Sequence, residues 1–360
     1  MRLAATETVR PGVYLAKTIY DASGRVLLAK GTYLTPEYIK RLMELEYRSI
    51  YIEDEISESI EIEDIIPEET RTRMSQMTKK ILFDTKSDKK LQERIIKQAV
   101  NDVIDEIIQN RDALIHLTEI RSLEDNTFGH SVNVCVLSVL TGVSIGYDQL
   151  KLKELGMGAL LHDVGKAKLP DEINNAKELS EQDYQLYQKH CEYGREILKN
   201  TENISIRASQ VAFQHHERYD GSGYPRGISG KEIFEFARIV AIADVYDTLA
   251  GYYPHRKRMF PHEVLELIKS KQGSDFDPEI VASFIPNIAP FPSGSIVLLS
   301  NGYKAIVVSA QKANPTRPQI RLLYDGNGQK FEGIKYIDLM LHPSLFITEA
   351  TEDASGDLKS

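Results

Sequence analysis

Two short runs of this chain concentrate the side chain types that hold metals and handle phosphate. The first is Leu161-His162-Asp163-Val164-Gly165-Lys166. An imidazole beside a two-oxygen carboxylate can serve one metal pair, because a carboxylate can bridge two cations about 3.5–4 Å apart while the ring nitrogen binds one of them. Lys166 follows one helical turn later, which aims its ammonium toward the same pocket as a phosphate contact. A bare His-Asp pair carries little information. Here an apolar helix (Leu150, Leu152, Leu155, Met157, Leu160, Leu161) leads into it. The second run is His215-His216-Glu217-Arg218-Tyr219-Asp220-Gly221-Ser222-Gly223-Tyr224-Pro225-Arg226-Gly227. Adjacent helical residues point about 100° apart, so both rings reach one cavity only near a helix end. The glycines supply that end and a tight loop.

Each candidate has a plainer reading beside the chemical one. His130, on the polar side of an otherwise apolar helix, reads by itself as a buried, hydrogen-bonded histidine. His190 by itself is an exposed helical histidine. Asp244 sits in the apolar stretch 239–245, where a buried carboxylate needs a partner, and a metal supplies one. Cys191 beside His190 reads as a small buried thiol. Tyr224 is either a stacking surface for a base or an ordinary packing residue, and Arg226 is a weak phosphate candidate on a loop.

Together these residues resemble the HD-GYP family, a branch of the HD phosphohydrolase superfamily. The stretch from His215 to Gly227 fits the pattern His-His-Glu-x-x-Asp-Gly-x-Gly-Tyr-Pro-x-Gly at every defined position, and His162 to Lys166 fits His-Asp-x-Gly-Lys. Thr127 with His130-Ser131, the run YQKHCEYGREIL around His190, and Ala243-Asp244-Val245-Tyr246-Asp247 fit the remaining ligand segments. The resemblance covers about residues 121–285. It implies an all-helical catalytic domain that hydrolyses cyclic di-GMP to pGpG or GMP by attack of a metal-bridging hydroxide, with Asp163 and Lys166 as the catalytic residues. It also implies two divalent metal ions, iron or manganese with zinc as the alternative. His130, His162, Asp163 and Asp244 would hold one, and His190, His215 and His216 the other, with Asp163 bridging. Lys166, Arg256, Tyr224 and Arg226 would face the substrate, and the resemblance implies one of two roles for the Gly-Tyr-Pro loop: a wall of the substrate pocket, or a docking surface for a diguanylate-cyclase partner.

Two departures bear on this. Asn126 stands where some members carry a Glu for a third metal, which favours two. Tyr253-Pro254-His255-Arg256 replaces a pattern that begins with Arg, so Tyr253 removes one expected cation. The open alternatives are therefore another cyclic dinucleotide or nucleotide as substrate, or a non-catalytic nucleotide-binding module that docks a cyclase.

The elements that must position these residues follow from periodicity. The expected fold class is mainly α: a helical HD-type domain, a small N-terminal α/β or β-rich module and a C-terminal β-rich segment. The expected divisions are 1–56 for the module, 57–70 for an acidic linker and 71–288 for the helical domain. A β-rich segment at 289–350 and a flexible tail at 351–360 complete them. Residues 13–20 and 25–29 read as strands about the turn 21–24, Thr35-Pro36 as a helix start with Ile39, Leu42 and Met43 facing inward, and 49–52 as a strand. Ile95, Ile96, Ala99, Val100, Val103, Ile104, Ile107 and Ile108 make one broad helix face, for packing or for a homodimer contact. Residues 296–299, 303–308 and 320–324 are β-like, with a turn at 325–328. The N-terminal module lacks the acidic pair and lysine of a phosphoacceptor domain.

Composition narrows the partners. The 42% apolar and 27% charged residues are ordinary for a globular chain. The net charge of −9 comes from nine acidic residues at 53–69, since the rest balances at 44 acids against 44 Lys and Arg. That argues against a polymeric nucleic acid partner. Cys135 and Cys191 make neither a disulfide framework nor a CxxC site, which suits a reducing compartment. The first residues lack the apolar core of a signal peptide. The most apolar stretch, 132–145, is interrupted by four polar residues and falls short of the roughly 20 that a membrane span needs. The expectation is a cytoplasmic chain with no membrane span.

Overall fold

Short strands at the start of the chain close on a single helix. The computed structural model describes residues 1–21, 25–62, 65–87, 89, 91–110, 114–115, 126–174, 176, 178–251, 258–352 and 354–355. Strands β1 (Arg2–Ala5) and β2 (Tyr14–Leu15) flank β5 (Ser49–Glu53) in an antiparallel sheet, and β3 (Ile19–Tyr20) pairs with β4 (Val26–Leu28). Between them lies α1 (Pro36–Glu44), whose first turn is capped by the Thr35 hydroxyl accepting the Tyr38 amide. Ile39 and Leu42 face the small core of Leu15, Ile19, Leu34, Ile50 and Ile52, but Met43 turns outward and is 48% exposed. It lies one position past Leu42, about 100° around the helix, off the inward stripe.

The acid-rich stretch that follows carries isoleucines among its carboxylates. Ile60, Ile62, Ile65 and Ile66 are buried, and Ile60 packs with Ile296, Ile306 and Leu323 of the C-terminal sheet. Arg321 of that sheet, itself buried, donates to the carbonyls of Ile56 and Glu58.

The helical body is built from α2 (Glu68–Lys86), α3 (Glu93–Gln109), α4 (Asn126–Ile145), α5 (Gln149–Leu160) and α6 (Asp171–Asn174). The helices α7 (Glu181–Gln188), α8 (His190–Lys199), α9 (Ile206–Gln214), α10 (Glu235–Ala250), α11 (Pro261–Ser270) and α12 (Pro278–Phe284) complete it. On α3 the expected face is inward at Ile96, Ala99, Val100, Val103, Ile104 and Ile107, while Ile108 at the stripe's edge is 46% exposed. Helix α4 is central: α2, α3, α5, α10 and α12 all pack on it. By length and composition its Phe128–Ile145 window could cross a membrane, yet 78% of that window is buried in the helical core. The apolarity of α4 is thus spent on five neighbouring helices.

Beyond α12 the period changes from helical to alternating. Strands β6 (Ile296–Leu299), β7 (Lys304–Ser309), β8 (Gln319–Tyr324), β9 (Tyr336–Asp338) and β10 (Ile347–Thr351) form an antiparallel sheet in the order β10-β6-β7-β8-β9. At the turn after β8 the Asp325 carboxylate accepts the amides of Asn327 and Gln329, each at 2.9 Å. A mainly helical chain between two small β-containing ends is the observed architecture.

Candidate metal centre

Four short pieces of chain deliver the candidate ligands to one buried place. Helix α5 ends at Leu160, so His162 and Asp163 leave its tip, and a single 3-10 turn (Val164–Lys168) follows. That turn lies hard against the start of α8: a Cβ at Gly165 would collide with the His190 carbonyl oxygen, so only glycine fits there. Helix α9 stops at Gln214, which frees His215 and His216 to turn the same way. Helices α4 and α10 bring His130 and Asp244 from the far side.

The ring orientations are fixed by the nitrogen that faces away from the cluster. Nδ1 of His162 donates to the Ala159 carbonyl (2.7 Å), Nδ1 of His190 to Tyr187 (2.6 Å), and Nδ1 of His215 to Ala212 (3.0 Å). Carbonyl oxygens only accept, so each Nδ1 carries the proton and each Nε2 presents a lone pair inward. Nε2 of His190 and Nε2 of His215 are 3.4 Å apart, and Asp163 Oδ1 lies 3.6 Å and 3.7 Å from them. Asp163 Oδ2 faces the other way, 3.4 Å from His162 Nε2. On that side His130 Nε2 is 3.2 Å from Asp244 Oδ1, and His216 Nδ1 is 4.0 Å from Asp244 Oδ2.

Two groups of donor atoms result, each within 4.8 Å: Asp163, His190, His215 and His216, and then His130, His162 and Asp244. Asp163 lies between them with one oxygen toward each. His162 Nε2, Asp163 Oδ1 and His216 Nε2 are buried without a hydrogen-bond partner. Lone pairs that crowd together with no proton to share repel one another, and a cation relieves that repulsion. The donor set therefore fits divalent metals, with mixed nitrogen and oxygen ligation.

Electrostatics agree with this. Burial pushes the conjugate acid of His190 down to about 3 and lowers those of His215 and His216, so these rings are neutral and ready to ligate. Burial works against a charged Asp163, but the Lys166 ammonium outweighs it and holds the carboxyl well below the usual range. Asp244 is likewise lowered: burial opposes ionisation, and the neighbouring imidazoles, His130 foremost, outweigh it. Lys166 Nζ donates to Asp163 Oδ2 at 2.5 Å, and despite burial this carboxylate keeps the ammonium charged.

Of the residues expected to face a substrate, Tyr224 stacks on His216 with ring centres 4.7 Å apart, while Arg226 is exposed on the loop. Arg256 and Tyr253 lie outside the described residues, as do the side chains of Asn126 and Thr127. Cys191 is buried with Sγ 3.5 Å from His190 Nε2, and burial raises its thiol, which keeps it protonated. A separate cleft of about 1510 Å³ between the N-terminal strands and the C-terminal sheet is lined by none of the clustered donors.

Two buried carboxylates were given no role in the sequence reading. Glu217 accepts the amides of Arg226 (2.9 Å) and Ile228 (3.2 Å), which ties down the glycine-rich loop from inside. Asp247 accepts from His130 Nδ1 at 2.8 Å and from Asn133 Nδ2 at 2.6 Å. The signal for Asp247 was a second acid, three residues after Asp244, in an apolar helix.

Known proteins resemble this chain in two stretches. A family model described as HD domain matches residues 103–280, and one described as KOW domain associated with HD domain matches residues 296–355. A cyclic di-GMP phosphodiesterase of Pseudomonas aeruginosa is 28% identical over 247 residues, 67% of this chain and 59% of that protein. A 3′3′-cGAMP-specific phosphodiesterase of Vibrio cholerae is 38% identical over 123 residues, 34% of this chain and 24% of that protein. The chain thus spans about six-tenths of the first relative and a quarter of the second. A solved structure of an HDG"Y"P protein from Bdellovibrio bacteriovorus shares the fold, with TM-score 0.52 and 20% identity over 78% of this chain and 97% of that one.

Proposed function

We propose that this chain, whose residues 103–280 match the HD domain model and whose motifs resemble those of its HD-GYP branch, hydrolyses cyclic di-GMP. Water adds to phosphorus, the bond to the 3′-oxygen breaks, and linear pGpG forms; a second cut gives GMP. The observation that carries the reading is Asp163, one oxygen toward each group of inward-facing ring nitrogens. His130, His162, Asp163 and Asp244 would hold one divalent ion and His190, His215 and His216 the other, iron or manganese before zinc. When bound, such a pair lowers the pKa of water and polarises the phosphoryl group.

The chain's own residues do the rest. The carbonyl bonds at Ala159, Tyr187 and Ala212 hold three rings in their ligating tautomers. Lys166, kept charged by Asp163, offers its remaining protons to a non-bridging phosphoryl oxygen as negative charge grows there. Tyr224, seated on His216, forms a wall on which a guanine can lie. Arg226 and Arg256 would meet the outer phosphate. The two buried cysteines suit a reducing cytoplasm. The Gly-Tyr-Pro loop remains the surface for a cyclase partner, and the molecule a candidate homodimer.

The test is anaerobic purification, loading with Fe(II) or Mn(II), and chromatography of cyclic di-GMP and 3′3′-cGAMP beside Asp163→Ala. Metal-dependent pGpG or GMP, lost in the variant by at least about 10³-fold, is the expected outcome. Intact cyclic di-GMP with hydrolysed cGAMP would move the substrate assignment to the mixed dinucleotide, and no turnover of either would end the phosphodiesterase reading.

A further inference from the structure

Arg71 lies on α2, before the segment that matches the HD domain model. Its Nη1 donates to Asn133 Oδ1 on α4 at 2.5 Å, and Asn133 Nδ2 donates to Asp247 Oδ1 on α10 at 2.6 Å. Asp247 Oδ2 accepts from His130 Nδ1 at 2.8 Å, and His130 Nε2 then faces Asp244. Asn133 and Asp247 are 2% and 3% exposed, so water cannot readily replace these bonds.

We propose that Arg71 is a positioning residue for the His130 donor, acting through Asn133 and Asp247. The inference rests on the metal-holding role proposed for His130. Its logic is the polarity of each group. A guanidinium only donates, so the Asn133 carbonyl must face Arg71 and its amide nitrogen must face Asp247. A carboxylate only accepts, so with one oxygen engaged by Asn133 the other takes the proton on His130 Nδ1. That leaves Nε2 as the lone pair directed into the cluster. Without the guanidinium the buried Asn133 carbonyl loses this donor, and the side chain swings toward another one, withdrawing its amide from the Asp247 carboxylate. The acceptor that holds the His130 tautomer is then displaced. Outer partners of this kind change metal affinity by roughly 10- to 100-fold when removed.

The relay predicts an effect confined to one of the two positions. The full chain, stripped by chelation, is titrated with Mn(II) against a competing chelator as parent, Arg71→Met and Arg71→Lys. Long-range nitrogen–proton NMR spectra of the stripped samples report the His130 tautomer. In Arg71→Met, affinity at one position falls about 10-fold or more while the other is unchanged, and His130 loses its Nδ1–H tautomer. Arg71→Lys, which keeps a donor, restores both. Should Arg71→Met fail to fold, Asn133→Asp removes the amide donor and is expected to give the same split. A folded variant with both ions bound as in the parent and the Nδ1–H tautomer kept overturns the relay. If the parent turns over no cyclic dinucleotide yet the affinities split, the reaction proposed above fails and the relay stands. If the parent is active and the affinities do not split, the relay alone fails. A parent that takes up no ion at the His130 position overturns both.

Discussion

His190 is enclosed by Tyr187, His215 and His216, with ring centres 4.9, 5.4 and 5.1 Å away, and burial pushes its conjugate acid from 6.5 to about 3. The unfolded chain takes up a proton at this ring below pH 6.5 while the folded chain does not, so folding weakens as pH falls from 6.5 toward 3. Above pH 6.5 both forms are neutral and the dependence vanishes. His215 and His216 act in the same direction. Thermal melts of the chelated chain are expected to fall steadily below pH 6.5, each such histidine contributing up to about 1.4 kcal/mol per pH unit. His190→Asn flattens the slope; an unchanged slope would mean that this ring protonates in place.

At the scale of elements, the loop after α9 is held by one buried carboxylate. Tyr219 and Asp220 donate their amides to Asp275 and Ser274, which anchors the loop's outer end, and Glu217 anchors its inner end. Gly223 passes so close to the backbone at 216–218 that a Cβ would collide with Arg218 N and His216 O. Glu217→Gln sets an amide donor against a backbone N–H and is expected to cost about 1–3 kcal/mol. Hydrogen–deuterium exchange at Arg226 and Ile228 checks this, and unchanged protection there would show that the turns hold the loop unaided. The seven donors named from motif resemblance fall into two adjoining groups: helix ends or tight turns legible in the sequence adjoin His162, Asp163, His190, His215 and His216, while His130 and Asp244 come from within α4 and α10. Glu217, Asp247, Asn133 and Arg71 were not legible in the same way. Their roles depend on which segment each side chain meets: Arg71 reaches Asn133 across 62 residues and Asn133 reaches Asp247 across 114, while Glu217 folds back on loop amides 9 and 11 residues further on. The strands β1, β9 and β10 escaped for a related reason: they are short and half-buried, and pairing, not local pattern, makes them strands.

For the whole molecule, the two β-containing ends are joined through the acid-rich stretch. Arg321, 4% exposed, donates to backbone carbonyls 263 and 265 residues earlier. Arg321→Met leaves both carbonyls without this donor and is expected to destabilise by about 2–4 kcal/mol. Limited proteolysis should then cut within residues 53–66 sooner than in the parent, and equal resistance would assign the clasp to its isoleucines alone.

That clasp also bears on the order in which the chain is made. Ile56 and Ile60 leave the ribosome well over two hundred residues before Ile296, Ile306 and Leu323, the side chains that will cover them. Throughout that interval two β-branched residues wait in the open beside a newborn strand, the setting in which chains stick to one another. The nine carboxylates at 53–69 stand among these isoleucines. Like charge on every copy opposes contact between neighbouring nascent chains during that interval, which is the physics by which flanking charges guard an apolar strand.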